Sequence, residues 1–490
     1  VLSLCGLTVS LQQTSLVPAL ADLHHSLHTT PENVSWIITA TLLTSAVSMP
    51  IISRLADMFG KRKMLLLCLG LVTVGSLVGA LGGSLMVVLI GRALQGASFA
   101  IVPVGISVMR DLLPRERIGT AVAVMSATLG IGGSVGMPLG GLVYSHFGVN
   151  AVFLLSAVVG VVLIAAILLV VDESTIRSPG RVDYVGSVLL SGALLALLLA
   201  ISKGATWGWT SGLTLGLFAA AVVLVAIWIP YELRLTQPLV DLRTMARRPV
   251  LITNTATVLV GFSMFGQLLG TMQLLTLPEG AGPGFGFTPL GAGLFLLPSG
   301  AVMVLLAPVS ASISHRFGAK TTLLTGGSLI VVGYAAMMPF SQSVSWLLIG
   351  SCVTSAGVAL AYAAMPTLIM RAVPVTETAS ANGLNALLRS IGTSSSSAVV
   401  AMVLAAFVVP AGNELVPSAS AFLWVFAISG VAAAAGTLVA LLLPRHRADL
   451  TDEEAFAEIR DPGAAYDPPQ VAAERQEIEE EIAAGRARHH

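Results

Sequence analysis

The sequence predicts an all-α integral membrane protein of fourteen transmembrane helices, arranged as two six-helix bundles joined by two central linker helices. Three observations predict it. Of the 490 residues, 55% are hydrophobic and only 10% charged, and the mean hydropathy is +0.89. A soluble domain carries about a quarter of its residues as charged. The apolar residues fall in runs of roughly 20, long enough to cross the ~30 Å hydrocarbon core as helices. Finally, 22 of the 25 Lys and Arg lie in alternate loops that share one side, with only Lys203 on the other and Arg92 and Arg389 inside spans. Loops retained in the cytoplasm are enriched in Lys and Arg, so both termini are expected there.

The spans follow in order, with cores at 1–20, 34–53, 64–82, 85–107, 119–142 and 151–171. A linker pair covers 184–202 and 212–231. The second set covers 250–275, 290–311, 321–340, 345–367, 382–409 and 420–443. Polar stretches "DESTIRSPGRVD" and "YELRLTQPLVDLRTMARRP" mark the boundaries. Residues 1–172 are therefore expected to form the first bundle, 173–249 the linker, 250–443 the second bundle and 444–490 a cytoplasmic tail. The tail holds 12 of the 25 acids and reads as solvated. The first run continues into a polar loop without a small-residue cleavage site, so it reads as a span, not a removable leader. Cys5, Cys68 and Cys352 all sit in apolar runs, with no CxxC spacing. Neither a disulfide framework nor a metal site is expected.

Chemistry concentrates where charge interrupts the apolar pattern. "SRLADMFGKRKML" (53–65) sets Asp57 and four cations between spans 2 and 3. Cations alone hold a loop inside. The order of residues asks for more, because a carboxylate near a helix end can accept from unpaired N–H groups of a neighbouring helix, and a glycine permits a tight turn. This stretch resembles the loop signature of the major facilitator superfamily, G-x-L-a-D-r-x-G-r-k. Leu55, Ala56, Asp57, Gly60, Lys61 and Arg62 match, while Ser53 and Met58 replace the first Gly and the first Arg. The resemblance implies that Asp57, Gly60, Lys61 and Arg62 form a latch on the outward-facing state.

Further stretches carry the same resemblance. "LIGRALQGASFA" places Arg92, Gln95 and Gly96 on the family's R-x-x-q-G pattern in span 4. An arginine in mid-span is costly and is a functional residue by default. "GIGGSVGMPLGG" is similar to the antiporter signature G-x-x-x-G-P-x-x-G-G: Gly132, Gly136, Gly140 and Gly141 match, with the proline one place late at Pro138. Small residues at this spacing let helices approach closely. "RVDYVGSVLL", "WGW", "YELRLTQPLVDL", "FTPLGAGLFLLPSG" and "NALLRSIGTSSSSA", with Arg389 and Gly392, resemble the fourteen-helix drug:proton antiporter group. "SHRFGAK" (314–320) reads as a degenerate second copy of the loop signature, as inverted or parallel repeats would leave. The resemblance covers about residues 1–443 and implies export of lipophilic molecules.

One departure bears on coupling. The fourteen-helix group has an acid in span 1 where this chain has Gln12, in "LQQTSLVPALADL". Of the 13 acids before the tail, none is mid-span. Asp22, about three turns further along, is the nearest replacement as a proton carrier, and a wet mouth residue is the competing reading. Arg92 and Arg389 are therefore expected to lack a carboxylate at their depth. His24, His25 and His28 read as a solvated loop, and "GAKTT" lacks the G-x-x-x-x-G-K-[ST] of a phosphate loop.

These observations point to a non-enzymatic, proton-coupled exporter of lipophilic or amphipathic small molecules, working by alternating access in the cell membrane. It is expected to be monomeric, with protons, substrate and lipid as partners, no nucleic acid and no cofactor. From position, the cavity is expected to draw on Gln12, Gln13, Trp36, Phe262, Phe265, Gln267, Gln273, Tyr362, Met365 and Asn385. Met and aromatic side chains suit variable apolar ligands. Two other readings stay open: a dedicated exporter of one natural product or lipid, and a sensor or scaffold acting through its tail. An importer fits less well, since the sugar-porter signatures are absent.

Overall fold

A computed structural model of the chain describes residues 1–444, except 17, 18, 20–22, 24–26, 28, 179, 280–282, 342, 412 and 413. Asp22, His24, His25, His28 and the tail from 445 on thus lie outside the described residues. The main helices are α1 (Leu2–Thr14), α2 (Trp36–Phe59), α3 (Lys61–Ala80), α4 (Leu85–Ala97), α5 (Ile101–Leu112) and α6 (Arg115–Val170). They continue with α7 (Tyr184–Trp207), α8 (Gly212–Arg234), α9 (Arg248–Thr276), α10 (Pro289–Leu305), α11 (Ala307–Met337), α12 (Val344–Ala372), α13 (Thr378–Ala406) and α14 (Ala419–Leu441). A short antiparallel hairpin, Val408–Ala411 with Glu414–Pro417, precedes α14.

Local chemistry sets the ends. Asp183, Ser211, Thr288, Ser343 and Ser418 each accept a backbone N–H at the start of α7, α8, α10, α12 and α14, as N-cap residues do. Gly60 ends α2 at φ 121°, a region that disfavours any side chain. Among the described residues, eleven helical stretches are long and apolar enough to cross a membrane. Two of them, Val135–Val170 with 36 residues and Pro289–Phe340 with 52, exceed the roughly 20 residues one crossing needs. Non-helical glycines interrupt both helical runs: Gly148 at φ 79° and Gly318 at φ 83°. The described part of α1, 13 residues long, falls short of a full crossing. Eleven is therefore the count that the described helices support directly.

Burial follows sequence order. One apolar core is built mainly from residues 5 to 171, and a larger one from 252 to 443. A third gathers linker residues Leu190, Leu194, Leu198 and Trp228 with Ala46 of α2 and Ala381 and Leu387 of α13. The outer faces are as apolar as the inner ones. On α8 only Thr214, Ala221, Trp228 and Glu232 are buried, while Val222, Val223 and Ile227 are exposed. A helix apolar all round belongs in lipid, where its backbone groups are satisfied internally. The molecule is a multi-pass membrane protein. The early helices meet the late ones along two seams: α2 and α5 against α13, and α6 against α10 and α12.

Candidate gate and central cavity

At the end of the bundle that carries the basic loops, Asp57 in the last turn of α2 reaches across the first seam to α13. Its Oδ1 accepts the N–H of Ala379 at 3.2 Å, and its Oδ2 accepts the N–H (2.8 Å) and hydroxyl (2.5 Å) of Ser380. Helix N-termini leave backbone donors unpaired, and α13 has no side-chain cap of its own. Asp57 supplies that cap from the other half of the chain, with its charge at the positive end of the helix. It is 0% exposed, so water does not compete for these bonds.

The loop signature arranges the rest. Lys61, itself buried, pairs with Asp111 at the end of α5 and lies 4.0 Å from Asp57. Ser174 donates to the same Asp111 oxygen at 2.5 Å. Arg62 donates its backbone N–H to Glu173 (3.1 Å) and its side chain to the Leu168 carbonyl (2.6 Å). A Cβ at Gly60 would stand 2.8 Å from the Glu173 carboxylate, which would have to shift. Arg110 donates to Thr378 at 2.6 Å, a second bridge to the start of α13. The structure thus brings Asp57, Gly60, Lys61 and Arg62 into one cluster. It adds Arg110, Asp111, Glu173, Ser174, Thr378 and Ser380, which the sequence reading left out. Their signals were present: charges at the mouth of span 4 in "MRDLLPRER", and Ser and Thr crowding the start of span 13 in "VTETASAN".

The glycines of span 5 face α1. Side chains at Gly132, Gly136 and Gly140 would overlap Ser10, Thr14 and Ser15 respectively. Thr14 donates to the Gly132 carbonyl at 2.8 Å, a bond that needs this close approach. Pro138 faces the second seam, where a Cβ added to Gly293 of α10 would lie 3.1 Å from its ring. Gly141 is half-buried. Across that seam Ser126 donates to the Tyr362 carbonyl at 3.0 Å.

Arg92 is 3% exposed and meets no carboxylate among the described residues. It donates to the Gln12 carbonyl (3.1 Å) and to Gln95 Oε1 (2.9 Å). The amides of Gln95 and Gln12 both donate to Ser76, at 2.8 and 3.1 Å. Gln12 Oε1 and Arg92 Nε remain buried without a partner among the described residues. Arg389 lies with its guanidinium 5.2 Å from the centre of the Tyr362 ring, a cation–π placement. The Tyr362 hydroxyl is buried and unpartnered among the described residues.

Between the halves is a cavity of about 40 Å³ lined by Gly133, Met264, Gln267, Ser299, Met303 and Ser355, among others. It has room for a few waters at most, whereas pockets for drug-sized ligands measure about 300–1,000 Å³. Of the residues expected to line a cavity, Gln267 does. Asn385 is packed, donating to Asn254 (2.9 Å) and Thr257 (2.7 Å), and Thr257 donates to Met365 sulfur at 3.2 Å. Tyr362 and Met365 are buried in the second core. Gln13, Phe262 and Phe265 are half-buried, and Gln273 is exposed. Trp36 stands elsewhere, against Trp207 of α7 at 6.3 Å and under the Lys203 amine at 4.5 Å.

Comparison with known proteins places this geometry. Residues 2–397 match the Major Facilitator Superfamily. The Multidrug resistance protein Stp of Mycobacterium tuberculosis is 29% identical over 393 residues, which are 79% of this chain and 72% of that protein. The Tetracenomycin C resistance and export protein of Streptomyces glaucescens is 32% identical over 320 residues, 65% of this chain and 58% of that one. Among solved structures, the human organic anion transporter MFSD10 superposes with a TM-score of 0.61 over 90% of this chain and 98% of its own, at 15% identity. That likeness speaks to the fold alone.

Proposed function

The chain belongs to the Major Facilitator Superfamily, a family of transporters and not of enzymes, and on that premise we propose that it exports lipophilic or amphipathic small molecules at the expense of a proton gradient. The observation that carries this is the capping of α13 by Asp57. A carboxylate of one half holding a helix terminus of the other is a contact that alternating access must make and break. In this reading residues 1–172 rock against 250–443, and the basic end faces the cytoplasm with both termini. Splitting the two long stretches at Gly148 and Gly318 and counting α1 as a crossing makes fourteen spans. The monomer is the working unit, in the cell membrane. The small cavity then belongs to a closed arrangement that widens when the seams part.

The names of the relatives support export, and the Streptomyces glaucescens protein favours a second reading, a dedicated exporter of one product. Substrate charge follows from the two arginines. An intramembrane cation without a carboxylate partner is costly unless something compensates it. Carbonyl and amide oxygens do this for Arg92, and a substrate head group is suited to do it for Arg389. Neutral or anionic amphiphiles should therefore be preferred over lipophilic cations. Dye efflux from everted vesicles, with and without a proton-conducting uncoupler, tests the assignment. Uncoupler-sensitive efflux of several unrelated dyes is expected. Efflux of one compound class alone would favour the dedicated exporter, and indifference to the uncoupler would remove proton coupling.

A further inference from the structure

The linker helices carry a site that export by the two halves leaves unused. Asp183 precedes α7, and Glu232 sits in the last turn of α8. Asp183 Oδ1 accepts from the Gly186 N–H at 2.8 Å and from the Tyr231 hydroxyl at 3.1 Å. Glu232 is 2% exposed, and its Oε1 accepts the Val240 N–H at 2.7 Å. The other oxygen of each, Asp183 Oδ2 and Glu232 Oε2, is buried with no donor among the described residues. Both converge on the bare Cα of Gly186. A Cβ there would lie 2.7 Å from Glu232 Oε2 and would overlap Asp183 Oδ2.

No cation offsets this pair. Neither carboxylate has an ion pair among the described residues. Of the neighbouring arginines, Arg243 reaches the Leu233 carbonyl at 2.8 Å, and neither Arg181 nor Arg234 forms an ion pair with the two acids among the described residues. Two ionised carboxylates cannot share so small a buried space, and the usual resolution is a single proton between them. A metal ion is the other way to satisfy two orphan oxygens, but hard cations take six or more oxygen ligands. Here the remaining neighbours are N–H and O–H donors, and no cluster of three or more His, Cys, Asp or Glu exists among the described residues.

We propose that Asp183 Oδ2 and Glu232 Oε2 hold one proton between them, a proton-binding site at the basic end of the linker helices. The bond ties α7 to α8, and through Val240 it anchors the loop after α8. That loop, residues 236–241, lines a cavity of about 120 Å³ together with Arg54, Glu377 and Ser380. Ser380 is the residue that Asp57 grips. Loss of the proton leaves two like charges facing each other over Gly186 and loosens the loop beneath the latch.

The test is infrared difference spectroscopy of the purified full chain across a pH titration, with and without sodium or calcium, so that it needs no transport activity. Wild type should show a protonated-carboxyl band that shifts on deuteration. Glu232→Gln and Asp183→Asn, each of which can place an amide donor where the proton lay, should each abolish that same band. Loss to either single change is the mark of sharing. Should a variant fold poorly, Gly186→Ala gives a second measurement: its methyl group pushes the oxygens apart, and the band should move or split. A band that survives both carboxyl variants, or one that sodium or calcium removes at constant pH, would overturn the proposal.

Discussion

Two turns in this molecule begin alike and end differently. "DMFGK" at 57–61 and "SHRFGAK" at 314–320 each pass through a glycine at positive φ, Gly60 at 121° and Gly318 at 83°. The first is a buried junction: Asp57 caps α13 of the opposite half, and Lys61 and Arg62 bind Asp111, Glu173 and Leu168. In the second, His315 occupies the place of the acid and is exposed. Its lysine, Lys320, turns to its own half and donates to the carbonyls of Leu441 and Leu443 at the end of α14. One copy joins the halves and the other closes a helix end within one half. Both turns use a positive-φ glycine, and the one with an acid three residues before it is the one that spans the seam.

The largest effect should come from removing that acid. Asp57→Asn keeps the shape but loses the charge, and its NH2 group must face either the Ala379 or the Ser380 N–H. Charged caps and charge-assisted bonds are worth roughly 1–3 kcal/mol, so transport should fall about tenfold or more in vesicles with normal protein content. His315→Asn should leave transport within about twofold. Equal losses at the two sites, or none at Asp57, would erase the distinction between the two turns.

A comparable effect is expected where glycine sets a helix distance. Gly136→Leu and Gly140→Leu should each block transport, because the new side chain meets α1 at Thr14 or Ser15. Gly119→Ala, on the same helix but away from the cavity and with nothing beyond its own helix within 4 Å of its Cβ position, should be tolerated. Efflux assays on the three variants decide it, and wild-type rates in the first two would place these glycines toward lipid.

The two turn glycines give a smaller, sharper contrast. Alanine at either is forced into an extended, positive-φ backbone region that side chains disfavour, at a cost of roughly 1–3 kcal/mol. At Gly60 it also meets the Glu173 carboxylate at 2.8 Å, whereas at Gly318 nothing lies within 4 Å. Thermal unfolding in detergent should therefore drop further for Gly60→Ala than for Gly318→Ala. The opposite order would mean that Glu173 yields freely.

The smallest change concerns the two arginines, which differ as the turns do: Arg92 is tied into amides, while Arg389 lies over a ring. Gln12→Asp puts a carboxylate beside Arg92 and Ser76. It should shift preference toward ethidium over an anionic dye by a few-fold in pH-jump vesicles, and Asp22→Asn in parallel should weaken proton-driven efflux. Strong proton-driven ethidium efflux in wild type that survives Asp22→Asn would remove both the charge preference and the role of Asp22.

Much of this was legible along the chain. Span positions follow from apolar run length, because hydrocarbon tolerates no unpaired backbone and rewards about 20 apolar residues in a row. The loop signature was legible too, since a turn glycine, an acid and cations occupy fixed local offsets. The lack of an acid near Arg92 could be read from "LQQTSLVP". Cavity residues were much less legible: among ten expected, Gln267 lines the cavity while Asn385 is packed and Trp36 stands against α7. A polar or aromatic residue in a span has the same sequence signature whether it faces a neighbour, a cavity or lipid.

By itself, then, the sequence determined that this chain crosses a membrane many times, where it turns, and which loops carry its charge. These are one-dimensional properties, governed by transfer free energy and by backbone φ at single residues. Only the tertiary structure decided that Asp57 caps α13, that the span 5 glycines meet α1, and that Asp183 and Glu232 turn their last oxygens toward each other. Each of these joins residues between 49 and 323 positions apart, as with Ser380 and Asp57. Such pairs are chosen by the rotation and depth at which helices pack, and in a uniformly apolar helix no periodic pattern announces which face that will be.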